Sequence, residues 1–188
     1  MNAIHTLAMA GVALSLLGAL FTRPSPPKQT SIAAPQIPKE FGWQAAGQSS
    51  GTFRLPGRRA TLTLTPKTEL FDGRTLLSQT HGVSLSALSL LPYGQQGTYA
   101  TVATPKGTIY ATCLHTDGTA IATREEYVTH QNRRAAQPET LWGYFLGHTD
   151  LRQWQCLWLE VTSQDDFSPQ EFKNLLGILA QQLEKNAK

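Results

Sequence analysis

The chain has 188 residues, 40% of them apolar, 15% charged and 9% aromatic, which is globular composition and too lightly charged for a disordered protein. Two cysteines are too few for a disulfide-scaffolded mini-protein or a four-cysteine zinc site, and eleven prolines and fifteen glycines without a period exclude a collagen. Two units of the +3 net charge come from Arg23 and Lys28; beyond them fourteen basic residues face thirteen acidic ones, with no clustered surface for nucleic acid.

Residues 3–22 carry no formally charged side chain, and Leu7 to Phe21 is mostly Ala, Leu, Val, Met and Gly. As a helix, about twenty residues span ~30 Å, the hydrocarbon thickness of a bilayer. The expectation for residues 1–22 is an uncleaved single-pass membrane anchor. A cleaved signal peptide fits less well, because no small-x-small site follows the run. Arg23 and Lys28 lie on its C-terminal side, and the positive-inside rule taken alone puts the following domain in the cytoplasm. Residues 23–40 hold five of the eleven prolines, the composition of a semi-stiff extended spacer.

A single domain is expected over 41–188. Phe53 to Thr65 includes alternating Leu and Thr over Ala60–Thr65, the period of a half-buried strand. Residues 66–97 read as a loop with short helical pieces. Thr98–Thr104 and Thr108–His115 read as strands joined by the Pro105-Lys106-Gly107 turn. Thr116-Asp117-Gly118 then turns the chain into a strand over Thr119–Thr123, completing an antiparallel meander.

Helical patterning follows. Arg124 to Arg134 is polar with a Tyr127, Val128 stripe, and Thr140 to Leu146 sets Leu141, Trp142, Phe145 and Leu146 on one face. Gln153 to Thr162 alternates as a strand, with Trp154, Cys156, Trp158 and Glu160 on one side. Ser168, Pro169 and Glu171 form a capping box at the head of a last helix. Its apolar stripe is Phe172, Leu175, Leu176, Leu179 and Leu183, which must pack on something, most simply a sheet face. The fold class is α+β, an antiparallel sheet packed by a C-terminal amphipathic helix.

Few residues point to chemistry. Cys113 and Cys156 both fall in predicted strands. Neighbouring strands can bring their Cα atoms within the ~7 Å a disulfide needs, and export of the domain favours that bridge; retained inside, both are small buried apolar side chains. Cys113 and His115 share a strand face, but two residues do not make a metal site, so no metal and no cofactor is expected. Thr112-Cys113 matches the end of the nucleophile motif of sortases, which place an arginine after the next strand. In that alternative Cys113, Arg124 and His81 would serve a cysteine transpeptidase, although His81 stands closer to the cysteine than in that family. A free, accessible thiolate would be required. Trp142, Tyr144, Trp154 and Trp158 are candidates for an aromatic groove in a periplasmic or lumenal binding module; aromatics at these periods more often belong to a core.

One resemblance covers the C-terminal half. Cys113-Leu114-His115-Thr116-Asp117-Gly118 leads to Val128-Thr129-His130-Gln131-Asn132-Arg133, then to Trp142-Gly143-Tyr144-Phe145-Leu146-Gly147 and Asp150-Leu151-Arg152-Gln153-Trp154-Gln155-Cys156-Leu157-Trp158. These segments, with the layout of apolar helix, spacer and small domain, resemble the accessory proteins of the cyanobacterial exosortase A system. The resemblance implies a non-enzymatic, membrane-anchored accessory protein on the extracytoplasmic side. Its partner would be an exosortase-type membrane protease or transpeptidase, or the substrates that enzyme sorts. It also implies matching cysteine positions, hence a Cys113–Cys156 bridge, and it offers no catalytic residues to carry over.

Overall fold

The computed structural model describes residues 42–46, 51–148, 151, 154–165 and 167–186. The expected anchor at 1–22, the spacer at 23–40 and the domain start at Phe41 lie outside the described residues. Among those described, no helix is long and apolar enough to cross a membrane. They fall into two compact units: a larger one up to Arg133 and again from Trp154 onward, and a smaller one between Arg134 and Leu151.

The larger unit is built on one antiparallel sheet. Its strands are β1 (Gln44–Ala45), β2 (Thr52–Leu55), β3 (Ala60–Lys67), β4 (Ser89–Pro92), β5 (Thr98–Thr104), β6 (Gly107–Leu114), β7 (Ala120–Ile121) and β8 (Cys156–Ser163). The order across the sheet is β1-β2-β3-β8-β6-β5-β4, with β7 paired to the end of β6. The strand that closes the sheet last in sequence, β8, therefore sits at its centre, hydrogen-bonded to β3 on one side and β6 on the other. Among the described residues the helices are α1 (Gly73–His81), α2 (Arg124–Ala135), α3 (Pro138–Phe145) and α4 (Pro169–Asn186); α3 belongs to the smaller unit.

Strand alternation sorts the core into two layers. On one face Leu62, Leu64, Tyr99, Tyr110, Leu157, Leu159 and Val161 meet Phe172, Leu175, Leu176, Leu179 and Leu183 of α4. Each such side chain contributes roughly 1.5–3 kcal/mol when fully buried. On the opposite face Ala100, Val102, Ile109, Ala111, Cys113, Cys156 and Trp158 meet Leu77 of α1 and Tyr127 of α2. The capping box of α4 forms as expected: the Glu171 N–H donates to Ser168 Oγ (3.2 Å) and the Ser168 N–H donates to the Glu171 carboxylate (2.8 Å). In the β2–β3 turn, Arg58 lies 2.6 Å from Glu171, and the Arg59 backbone N–H donates to the Asp165 carboxylate.

The Leu/Thr alternation at Ala60–Thr65 lies in β3 as expected, and the Pro56-Gly57 turn folds β2 back on it. Three sequence expectations need correction. The segment 66–97 holds the nine-residue α1, a 3-10 turn at Leu85–Ala87, and the edge strand β4. The α1 helix is polar and buries one large side chain, Leu77, so it lacks an apolar period; its signals were Asp72, which accepts from the Thr75 N–H (3.1 Å), and Gly82 at φ +64°. The third strand of the meander shrinks to Ala120–Ile121, because Thr123 turns into the cap of α2. In α2 itself the inward pair is Tyr127 and Gln131, one turn apart, while Val128 is half-buried. The Pro105-Lys106-Gly107 turn is as expected. Gly107 has φ +120°, and a Cβ there would strike the carbonyl of Ser163 on the central strand, so only glycine fits.

Candidate functional site

Cys113 on β6 and Cys156 on β8 form a disulfide, with Cα atoms 5.7 Å apart. The register explains it. Cys113 lies opposite Trp158 and Leu114 opposite Leu157, so Cys156 is the diagonal neighbour of Cys113 on the same sheet face. Both residues are fully buried, and no free cysteine remains. The bridge clamps the central strand at the point where α1 and α2 cover the sheet.

The residues of the transpeptidase alternative are placed as follows. Cys113 is oxidised and enclosed. His81 ends α1 with Nε2 2.9 Å from Glu160 Oε1 on β8, a half-buried pair. Arg124 is exposed in the first turn of α2. A thiolate at Cys113 therefore requires reduction and opening of a core bridge before any acyl chemistry can start. The same bond removes Cys113 as a metal ligand beside His115, and no cluster of three or more His, Cys, Asp or Glu suited to a metal occurs among the described residues.

Around the bridge a column of rings runs outward. Phe71 meets Trp158 edge-on (5.5 Å) and Tyr127 edge-on (5.7 Å), and Tyr127 stacks on Trp154 (5.5 Å, 15°). Tyr127 also contacts His115 (5.0 Å), which contacts His130 (4.7 Å). His130 Nε2 lies 3.2 Å from Asp117 Oδ2 in the turn after β6. Burial pushes the Tyr127 phenol up to about 12. Burial also pushes the Asp117 carboxyl up, but its bonds to His130 and to the Thr119 N–H outweigh that and hold it well below the usual carboxylate range.

The head of α2 is fixed by a second capping box. The Glu126 carboxylate accepts from the N–H groups of Ala122 and Thr123 (3.2 Å each) and from the Thr98 hydroxyl (2.8 Å), and the Glu126 N–H donates to Thr123 Oγ1 (3.2 Å). Sequence reading missed this box and the ring column. The Thr123-x-x-Glu126 spacing was a usable signal for the first. No one-dimensional spacing links His115 to His130, which meet because the Asp117 turn returns the chain to α2.

The four aromatics of the proposed groove divide. Trp158 is buried in the core and Trp154 is half-buried against Tyr127. Trp142 and Tyr144 lie on α3, in the smaller unit. That helix has no buried residue: Leu141, Trp142, Tyr144 and Phe145 are exposed along it and Leu146 is exposed at its end, with Trp142 and Phe145 each at 68%. Proline at its first turn and Glu139 near its N-terminus suit a helix start, and Gly147 at φ +72° ends the segment. Against protein-family models, curated proteins and solved structures, the chain has no match.

Proposed function

We propose that this chain is a membrane-tethered accessory module that works in an oxidising, extracytoplasmic space and acts by binding rather than by chemistry. The observation that carries the reading is the buried Cys113–Cys156 bridge. Structural disulfides persist outside the cytoplasm and are kept reduced within it, so the bridge argues for the exported side and against the orientation suggested by Arg23 and Lys28. It also occupies the single residue type on which the transpeptidase alternative depends.

The partner follows from the resemblance of residues 107–162 to the exosortase A accessory proteins: an exosortase-type sorting enzyme in the same membrane, or the exported proteins it processes. The apolar segment at 3–22 supplies the tether, and the proline-rich spacer holds the sheet domain away from the bilayer. Two measurements test this. Thiol counting on native, unreduced protein should find no reactive thiol; selective alkylation of Cys113 would favour the enzyme instead. Deletion of the gene should impair processing or surface export of sorted substrates, and unchanged processing and export would overturn the accessory role.

A further inference from the structure

Among the described residues, most of the exposed large apolar side chains gather on α3 and at its end. Eight residues make about two turns, below the ~12–15 residues at which an isolated helix begins to hold in water. Yet none of its side chains is buried, and Leu141, Trp142, Phe145 and Leu146 share one face with Tyr144 at its margin. Such a face is not a water-facing design: it has the chemistry of a bilayer interface, where Trp and Tyr sit at headgroup depth and Leu and Phe enter the acyl boundary. Its length of ~12 Å is far too short to span. The flanking charge has the complementary sign for an anionic surface. Arg133 and Arg134 precede the helix and Arg152 follows it, against the acidic Glu139 and Asp150.

We infer that α3 is an in-plane membrane helix that docks on an anionic phospholipid surface through Leu141, Trp142, Phe145 and Leu146. The inference rests on the tether reading in one respect: residues 3–22 keep a bilayer within reach, since eighteen spacer residues at the polyproline II rise of ~3.1 Å each extend ~55 Å. Docking of α3 gives the domain a second membrane contact. Two weak contacts on one chain bind far more persistently than either does alone.

The test uses the full chain bound to vesicles of neutral lipid with about a third anionic lipid, a composition that favours basic interfacial segments. The emission of Trp142 is isolated by subtracting the spectrum of Trp142→Phe. Brominated acyl chains should quench this component, and aqueous iodide should quench it less than in lipid-free protein. Phe145→Ser should reduce the lipid quenching about twofold or more, because it removes apolar area from the same face. Purely neutral vesicles should also weaken it. An alkaline wash followed by flotation reports the tether separately. Chain that floats while Trp142 stays open to iodide and deaf to brominated lipid overturns the docking and spares the tether. Chain that washes off at high pH, yet shows lipid quenching at neutral pH, upholds the docking and overturns the tether. Trp142 shielded from both quenchers means that protein covers α3, whether a second copy, the N-terminal segment or another partner, and also overturns the inference.

Discussion

The helices α4 and α3 start from the same kind of sequence and end in opposite surroundings. Each carries an apolar stripe behind a proline at its first turn. In α4 the five stripe residues lie at 0–3% exposure against the sheet, while in α3 the stripe residues Trp142, Phe145 and Leu146 stand at 65–68%. The difference teaches that amphipathicity states a debt of burial without naming who settles it. For α4 the creditor is on the same chain, because β3, β8, β6 and β5 present Leu62, Leu159, Tyr110 and Tyr99 to it. For α3 no described residue of its own unit takes that role.

The sharpest way to break this comparison is to truncate matching phenylalanines. Phe172→Ala should cost about 3–5 kcal/mol, through lost transfer energy and the cavity left among Tyr99, Tyr110 and the leucines. Equilibrium urea denaturation followed by the buried Trp43 and Trp158 reads it directly. A cost below ~1 kcal/mol would mean that α4 is not the element that completes the core. Next in size is the bridge. Replacing both cysteines with alanine frees a loop of 43 residues in the unfolded chain and should cost about 2–4 kcal/mol. The loss should appear in the sheet unit, with α3 unchanged in hydrogen exchange.

Two smaller effects sharpen the same contrast. Ser168→Ala removes the acceptor for the Glu171 N–H and should cost about 1 kcal/mol, a penalty an exchange-protected α4 makes visible at its first turn. Asp117→Asn probes the outer end of the ring column. The folded carboxyl is held below its unfolded range, so its contribution is present above an unfolded pKa of ~3.9 and fades as pH falls toward the folded value. Asparagine should flatten the acid limb of the stability–pH curve below about pH 4. The side chain is 42% exposed and screened by solvent, so the loss at neutral pH should stay below about 1 kcal/mol. An unchanged acid limb would show that the pair adds nothing to α2 docking.

How much of this was legible depended on what kind of signal each element carries. The α4 cap and stripe, the β5–β6 hairpin and the alternation of β8 rest on local periodicity and turn chemistry, which one dimension records. The α1 helix was hidden because Gly73-Arg74-Thr75-Leu76-Leu77-Ser78-Gln79-Thr80-His81 has no apolar period, and it is held by its cap and by Leu77 against the far sheet face. The central position of β8 was invisible for another reason: its pairing with β3, roughly a hundred residues earlier, depends on topology and not on neighbours in sequence. That same topology makes Cys156 the diagonal partner of Cys113, so the disulfide was readable only as a possibility of strands, or through the family resemblance. The ring column from Phe71 to Asp117 combines four separate segments and left no linear trace.

The smallest stability effect is expected on α3, and its smallness is the point. Trp142→Ser and Phe145→Ser each remove a large side chain that no described residue buries, so urea denaturation of lipid-free protein should shift by no more than about 0.5 kcal/mol. Serine could even leave the free domain more soluble, since an exposed aromatic–leucine face is an association hazard. The same substitutions should matter once vesicles are present, where the wild-type face gains transfer energy and the serine face does not. Stability insensitive to the substitution and membrane contact sensitive to it would place the partner of α3 outside the folded domain. A loss above about 2 kcal/mol without lipid would instead place a protein surface over Trp142 and Phe145, and the opposition between α3 and α4 would disappear.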